Sequence, residues 1–158
     1  MNPRRPHRRT NLGFTIVELV ATLVIIAVVC AVTLPRLIDS DSFSERGYTD
    51  ELASALRYAQ RIAVASRCNV RLVVAAGDYS GFQRTDCDGT GAWTSVVLRA
   101  DGPLSGIADA GVITAPAGTV IEFSRDGGVV GGAPPQLTVA GFFRIDIDAI
   151  TGQVTVTP

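Results

Sequence analysis

The stretch of sequence that decides the fold is RRTNLGFTIVELVATLVIIAVVCAVTLPRL, from Arg8 to Leu37. From Phe14 to Leu34 it contains 21 residues and one formal charge, Glu18. As a helix these residues would be roughly 31 Å long, which matches the hydrocarbon core of a bilayer, about 30 Å thick. The sequence therefore predicts a transmembrane helix over residues 14–34.

The charges on either side of this segment predict its orientation. A cluster of arginines precedes Gly13, whereas the far side has only Arg36 close to the segment. The positive-inside bias places the N-terminus in the cytoplasm and the bulk of the chain in an oxidising compartment, in a bacterium the periplasm. Two alternatives stay open: a cleaved secretory signal, which normally has a shorter apolar core, and a lipoprotein signal ending at Cys30.

Glu18 is the unusual residue of this segment. An ionised carboxylate in a spanning helix is unfavourable by roughly 2–3 kcal/mol or more near the centre of the bilayer, and by less near its surface. Glu18 is therefore either close enough to reach the headgroups or in need of a positive partner. The helix contains no such partner, but a free α-amino group at Phe14 would be one if the chain were cut after Gly13.

The residues GFTIVELV, Gly13 to Val20, resemble the cleavage and N-methylation motif of type IV pilins and type II secretion pseudopilins. The resemblance implies that a prepilin peptidase removes residues 1–13 and methylates the amine of Phe14. It also implies that Glu18 meets the Phe14 amine of a neighbouring subunit during assembly. Pro35 matches a proline that kinks the helix in this family; a plain helix stop at the membrane surface is the alternative.

After this segment, apolar residues recur at helical spacing from Phe43 to Arg67, which predicts an amphipathic helix. Gly47 is the expected weak point before it, and Thr49 followed by two acids indicates a helix start nearby. Residues 35–67 are thus expected to be the exported part of the helix.

From residue 68 onward the apolar residues alternate with polar ones in short runs, which predicts strands. The predicted strands are Asn69–Ala76, Tyr79–Arg84, Trp93–Ala100, Thr119–Ser124, Gln136–Gly141, Phe142–Ala149 and Gln153–Thr157, with a hairpin turn at Thr151–Gly152. The predicted fold class is α+β: an N-terminal transmembrane helix continues into a long kinked helix that packs on an antiparallel sheet in residues 68–158.

A second resemblance covers the exported half. The stretch LRYAQRIAVASRCNVRLVV, Leu56 to Val74, and the ending FSRDGGVVGG…FFRIDIDAITGQVTV are similar to the GspH/FimT group of minor pilins and pseudopilins. Together the two resemblances imply a pilin-like protein that assembles with other pilins through its N-terminal helix.

The cysteines and acidic residues suggest few chemical sites. Cys68 and Cys87 both lie in the exported part and could form a disulfide, although two free buried thiols are the alternative. The stretch DCDGTG, Asp86 to Gly91, favours a tight turn over a calcium loop, because it lacks the third oxygen ligand and the distal Glu. His7, the single histidine, lies in the leader, so no catalytic residue, cofactor or metal site is expected.

The sequence therefore predicts a minor pseudopilin of a type II secretion system, anchored in the bacterial inner membrane. The alternative is a minor type IV pilin of the FimT kind, with a role in pilus assembly or DNA uptake; an unrelated single-pass anchored domain is a third possibility. In the FimT kind, DNA binding is associated with a Gly-Arg-x-Arg motif, and the matching stretch here, Gly152 to Thr155, has neither arginine. The acidic body of the chain also disfavours nucleic acid as a partner.

Overall fold

The computed structural model describes residues 15–37, 40–87, 90–132 and 136–158. The chain divides into two compact units, residues 1–39 and residues 40–158; the second is called the head below. The first unit contains helix α1, Ile16–Leu37, which includes Pro35. In the part of the chain that the structure describes, no helix has both the length and the apolarity of a membrane span.

The head consists of one long helix and short antiparallel strands. Helix α2 spans Ser40–Ser66. The strands are β1 Val70–Val74, β2 Asp78–Gln83, β3 Ser95–Val96, β4 Leu98–Arg99, β5 Gly102–Pro103, β6 Ser105–Ile107, β7 Thr114–Ala115, β8 Thr119–Phe123, β9 Gln136–Val139, β10 Phe143–Ile147 and β11 Val154–Thr157.

Helix α2 packs on the sheets through a stripe of small and branched apolar residues. Leu52, Leu56, Ala59 and Ala63 are fully buried and recur at steps of three or four residues, as required for one face of a helix. Alanine at two of these four positions lets the helix axis approach the strands closely. The predicted amphipathic helix and its buried face are therefore found, and the α+β fold class is confirmed.

The start of α2 differs from the prediction. The helix runs through Gly47 and begins at Ser40, well before Thr49. The Thr49 hydroxyl donates a hydrogen bond to the carbonyl of Glu45, one turn back, so it acts inside the helix and not as a cap. An isolated glycine costs a helix only about 1 kcal/mol, which the packing of the following turns offsets. The predicted weak point at Gly47 and the predicted start near Thr49 are wrong.

The strands form two main sheets and a small third one. The first sheet has the order β3-β2-β1-β8, with β6 also paired to β2, and the second has the order β11-β10-β9-β7. Alternate residues of the central strands, such as Leu72 in β1 and Ile145 in β10, are fully buried. All pairings are antiparallel, as predicted, but the single sheet of the prediction is in fact divided.

The predicted strand Trp93–Ala100 is also wrong as a single element. Strand β3 pairs with the end of β2, the chain then leaves the sheet as the β4-β5 hairpin, and it returns as β6 to pair with the start of β2. Gly81 lies between the two pairings, where its N–H donates to Leu104 and its carbonyl accepts from Val97. A Cβ at residue 81 would lie 2.7 Å from the Leu104 side chain, so the excursion depends on glycine there.

Candidate assembly site

The amino end of α1 is capped by Thr15. The Thr15 hydroxyl accepts a hydrogen bond from the N–H of Glu18 at 3.2 Å, and the Thr15 carbonyl accepts from Leu19 at 3.0 Å. Thr15 is thus the N-cap and Glu18 the third helical residue, as in the Ser/Thr-x-x-Glu capping box. A carboxylate in the first turn of a helix is also favoured by the helix dipole. Sequence reasoning missed the N-cap at Thr15, although TIVE, Thr15 to Glu18, has the pattern of a capping box.

The surface of α1 is apolar on every side. Each described side chain of the helix up to Ala31 is exposed in the single chain, including Leu23 at 58% and Ile26 at 57%. The Thr22 hydroxyl is satisfied inside the helix, because it donates to the Leu19 carbonyl at 2.8 Å. A helix that is apolar all round requires an apolar environment on all sides.

The remaining predicted residues of this region are only partly visible. Gly13 and Phe14, the predicted cleavage and methylation positions, lie outside the described residues. The backbone of α1 passes through Pro35 and ends at Leu37, so the predicted kink at Pro35 stays a prediction. The thiol of Cys30 is free and exposed on α1.

Cys68 and Cys87 form a disulfide with their Cα atoms 4.5 Å apart. The bond links the end of α2 to the segment after β2, and so closes the β1-β2 hairpin at its open side. Arg67 precedes it in the left-handed conformation, with φ 57°, which ends the helix. The Ser66 hydroxyl accepts from the backbone N–H of Cys68 and from the side chain of Gln83, which fixes the same corner.

The DCDGTG stretch behaves as a turn in its described part. The carboxylate of Asp86 accepts from the N–H of Gly91 at 2.6 Å and from the hydroxyl of Thr90 at 3.2 Å. Its oxygens are thus used by the turn itself. Among the described residues, no three histidine, cysteine or acidic side chains come together as a metal site would require.

A cluster that sequence reasoning missed lies beside the disulfide. The guanidinium groups of Arg71 and Arg84 lie 4.7 and 4.6 Å from the ring centre of Trp93. Arg84 also lies 4.0 Å from the carboxylate of Glu122, which accepts a hydrogen bond from Asn69. Only Arg71 in β1 and Glu122 in β8 belong to strands, and the other three residues lie in connecting segments, so no sequence spacing indicates the cluster.

The stretch that corresponds to the DNA-binding motif forms part of the last hairpin. Gly152 occupies the left-handed region with φ 66°, and its N–H donates to the Asp148 carbonyl. The Asp148 carboxylate accepts hydrogen bonds from Thr151 and Ile150, and these lower the pKa of Asp148. The turn therefore spans six residues, 148–153, and is wider than the predicted two-residue turn.

Residues 48–157 match the family model described as type II transport protein GspH, and residues 8–34 match that of the prokaryotic N-terminal methylation motif. No curated protein matches the chain.

Two solved structures of the type IV minor pilin FimU of Pseudomonas aeruginosa, strain PAO1, share the fold. The form in space group P21 has a TM-score of 0.56 at 16% identity and covers 75% of this chain and 92% of the FimU chain. The form in space group P65 has a TM-score of 0.52 at 16% identity, with coverage of 72% and 92%.

Proposed function

We propose that this chain, which belongs to the GspH family of type II transport proteins, is a minor pseudopilin of a type II secretion system. Proteins of this family are pilin-like structural components, and the chain is not an enzyme. The proposal rests on one observation. The same chain contains an N-terminal methylation motif followed by a GspH head.

The proposed pathway begins with processing at the membrane. A prepilin peptidase cuts between Gly13 and Phe14 and methylates the new amine, which keeps its positive charge. The apolar stretch 14–34 then holds the chain in the inner membrane, with the leader side in the cytoplasm and the head in the periplasm. The basic leader and the exposed apolar surface of α1 support this arrangement. Intact-mass analysis of membrane-extracted protein should give a methylated chain that begins at Phe14; a chain that still begins at Met1 in cells with an active peptidase would contradict it.

Assembly then covers α1 with the helices of other pilin-like subunits. Glu18 would then meet the Phe14 amine of a neighbour. A carboxylate buried opposite a fixed amine favours one alignment of the two neighbouring helices, because any other alignment leaves both charges unpaired.

Glu18→Gln separates this role from any capping role of the Glu18 side chain, since the capping bond that the structure shows is made by the Glu18 backbone N–H. Glutamine serves equally well at the third position of a capping box but has no charge. If the charge acts in assembly, Glu18→Gln should reach the membrane at the parent level, be cut normally, and lose subunit crosslinking to the same extent as Glu18→Ala. If Glu18→Gln assembles normally and Glu18→Ala does not, Glu18 acts only as part of the cap and the proposed counter-charge is wrong.

A minor type IV pilin is the second candidate, and the fold shared with FimU is the observation that favours it. A DNA-uptake role is disfavoured, because Gly152 to Thr155 contains no arginine and the chain from Phe14 onward has more acids than arginines.

Deletion of the gene in its own host, with complementation by the full chain, separates the two candidates. For a pseudopilin, secretion of folded exoproteins into the medium should fall while the number of surface pili stays at the parent level. The reverse result would assign the chain to a pilus. The uncharged Glu18→Gln chain is the matched control, since it should be present in the membrane without restoring secretion.

A further inference from the structure

Four large apolar side chains are exposed at the end of the head where α2 begins. They are 58–84% exposed and belong to Phe43, Ile107, Ile113 and Phe142, called the apolar rim below. Single exposed apolar residues are ordinary on a protein surface, but a group of them at one end of a small domain indicates a surface that meets an apolar phase or partner. The contacts of these residues with α2 show that they form such a group.

Phe43 and Ile107 lie close to each other. Together with Tyr48 of α2 they line a groove between the helix and the end of β6. The loop after Ile107 is held in place, because the N–H of Ala108 donates a hydrogen bond to the carbonyl of Gly77. The backbone that carries Ile107 is therefore fixed beside the first half of α2.

Ile113 and Phe142 belong to the same end of the head. The carbonyl of Ile113 accepts a hydrogen bond from the N–H of Ala140, which brings the loops that carry the two side chains together. Phe143, the residue after Phe142, lines a groove with Arg46 of α2. All four members of the apolar rim therefore lie near the first half of this helix.

The chain keeps the apolar rim close to the stretch 14–34, which we propose as the membrane anchor. Phe43 follows Leu34 by nine residues, and nine residues span roughly 30 Å at full extension. Ile150 is 87% exposed as well, but it lies in the turn that Gln60 holds through the carbonyl of Thr151. Gln60 is 17 residues after Phe43, which is roughly 26 Å further along the helix. A membrane that contains Leu34 is therefore always within reach of the rim.

We propose that, before the chain enters a filament, the apolar rim inserts into the headgroup region of the lipid bilayer and holds the head against the membrane surface. Apolar side chains at such an interface are stabilised by their removal from water, as in helices that lie in the membrane surface. A weak contact is sufficient, because the anchor keeps the lipid at a high effective concentration beside the head. The inference rests on the proposed function for this anchor.

The charges around the apolar rim determine which lipid it prefers. Carboxylates outnumber guanidinium groups among the side chains described at this end of the head. The carboxylates belong to Glu45, Asp50, Glu51, Asp78 and Asp109, and the guanidinium groups to Arg46, Arg144 and Arg99, the last of which forms an ion pair with Asp101. An anionic membrane surface repels an excess of negative charge. The rim should therefore prefer zwitterionic lipid, and anionic lipid should weaken the contact.

The test uses the full chain reconstituted into phosphatidylcholine vesicles whose lipids are brominated on the acyl chains. An environment-sensitive fluorescent amino acid with an acetylnaphthyl group replaces Ile107 in one variant and Phe142 in another. Bromine quenches a fluorophore only on close approach, so the emission of both variants should fall at least twofold relative to vesicles without bromine. The same fluorophore at Ile150, an equally exposed apolar position far from the rim, should lose less than a tenth of its emission. The fluorescence of Trp93, excited separately, verifies that each variant is folded.

Substitutions in the rim and changes of lipid then test the cause of the quenching. Phe43→Glu or Ile113→Glu, combined with the fluorophore at position 107, should reduce the quenching at least twofold, because each places a charge where the rim enters the lipid. Ile150→Glu is the matched control and should leave the quenching unchanged. Phosphatidylglycerol in a third of the lipid should reduce the quenching in the parent rim, and high salt should restore it by screening the repulsion.

Two results would overturn the proposal: quenching at positions 107 and 142 that is no greater than at position 150, or quenching that the two rim substitutions leave unchanged. Stronger quenching with phosphatidylglycerol would overturn the preference for zwitterionic lipid. Extraction of the same vesicles with alkaline carbonate measures the anchor independently. A chain that carbonate removes contradicts the membrane anchor of the proposed function, whereas a chain that stays in the vesicles without quenching supports the anchor and contradicts the lipid contact of the head.

Discussion

Removal of the disulfide between Cys68 and Cys87 should lower the stability of the head by an amount that its loop length sets. The two residues are separated by 19 positions. For a loop of this size the chain-entropy estimate is about 3 kcal/mol at 25 °C, because the cross-link restricts the unfolded chain. Cys68 is 4% exposed and lies between the end of α2 and the first strand, whereas Cys87 is exposed, so the bond ties a surface segment to a buried position at the open side of the hairpin.

The assay follows urea unfolding of the full chain in detergent, comparing the parent with Cys68→Ala/Cys87→Ala. Trp93 is the single tryptophan of the sequence, and it lies against Arg71 and Arg84 close to the disulfide. Its fluorescence therefore reports the unfolding of the head and is not sensitive to α1. With a slope of about 1–3 kcal/mol per M urea, the unfolding midpoint should fall by about 1–3 M. Cys30→Ala is the matched control, since this thiol is free and should not affect the midpoint.

A midpoint of the double variant within about 0.3 M of the parent at equal slope would refute the reasoning. It would mean that the unfolded chain is not restrained by the bond, or that the reduced hairpin is held as firmly by its hydrogen bonds. An equal loss in Cys30→Ala would instead assign the effect to α1 and its detergent environment.

Two further predictions concern side chains that connect α2 to the strands. Gln60→Ala removes the donors to two turn carbonyls and should destabilise the head by about 1–3 kcal/mol, measured by the same unfolding assay; Gln153→Ala, an exposed residue, should change it by less than about 0.5 kcal/mol. Burial and the neighbouring Glu51 raise the pKa of Tyr79, so the folded head keeps this hydroxyl protonated when the unfolded chain ionises above about pH 10. Stability should therefore be full below that pH and fall as the pH rises beyond it. Tyr79→Phe should be about 1–2 kcal/mol less stable at pH 7 and should lose less stability between pH 9 and 11; an unchanged alkaline loss would contradict the assignment to Tyr79.

The parts of the fold that follow from local periodicity could be predicted from the sequence. The predicted stripe has the spacing of one helical face, and its members Leu52, Ala55, Leu56, Ala59 and Ala63 are buried. Ile62 is half-buried, and the predicted continuation at Ala65 and Ser66 is exposed. The alternation of Ile145 and Ile147 with Arg144 and Asp146 gave strand β10 and its buried side in the same way. The start of α2 could not be predicted in this way. Thr49 and the acids after it have the composition of a helix cap, but their backbone is already helical.

Only part of the candidate assembly site could be predicted from the sequence, and the reason is different. Cleavage at Gly13 and the counter-charge of Glu18 are suggested by a linear motif, and motifs are local. The capping bond from Glu18 to Thr15 is local too and could have been found from the Thr-x-x-Glu pattern. The cluster around Trp93 could not, since it joins Arg71, Arg84 and Glu122 from separate parts of the chain.

The segment from Ser95 to Ile107 shows how tertiary structure overrides such a pattern. Val96, Val97 and Leu98 follow one another in the predicted strand Trp93–Ala100, yet only Val97 of the three is buried, as is Leu104 further along the segment. Both are brought to the same place on β2, because the backbone of Gly81 bonds to one through its carbonyl and to the other through its N–H. The residues between them must then leave the sheet as a hairpin, and the chain returns as β6 to pair with the start of β2. One glycine in β2 thus decides the path of a distant segment.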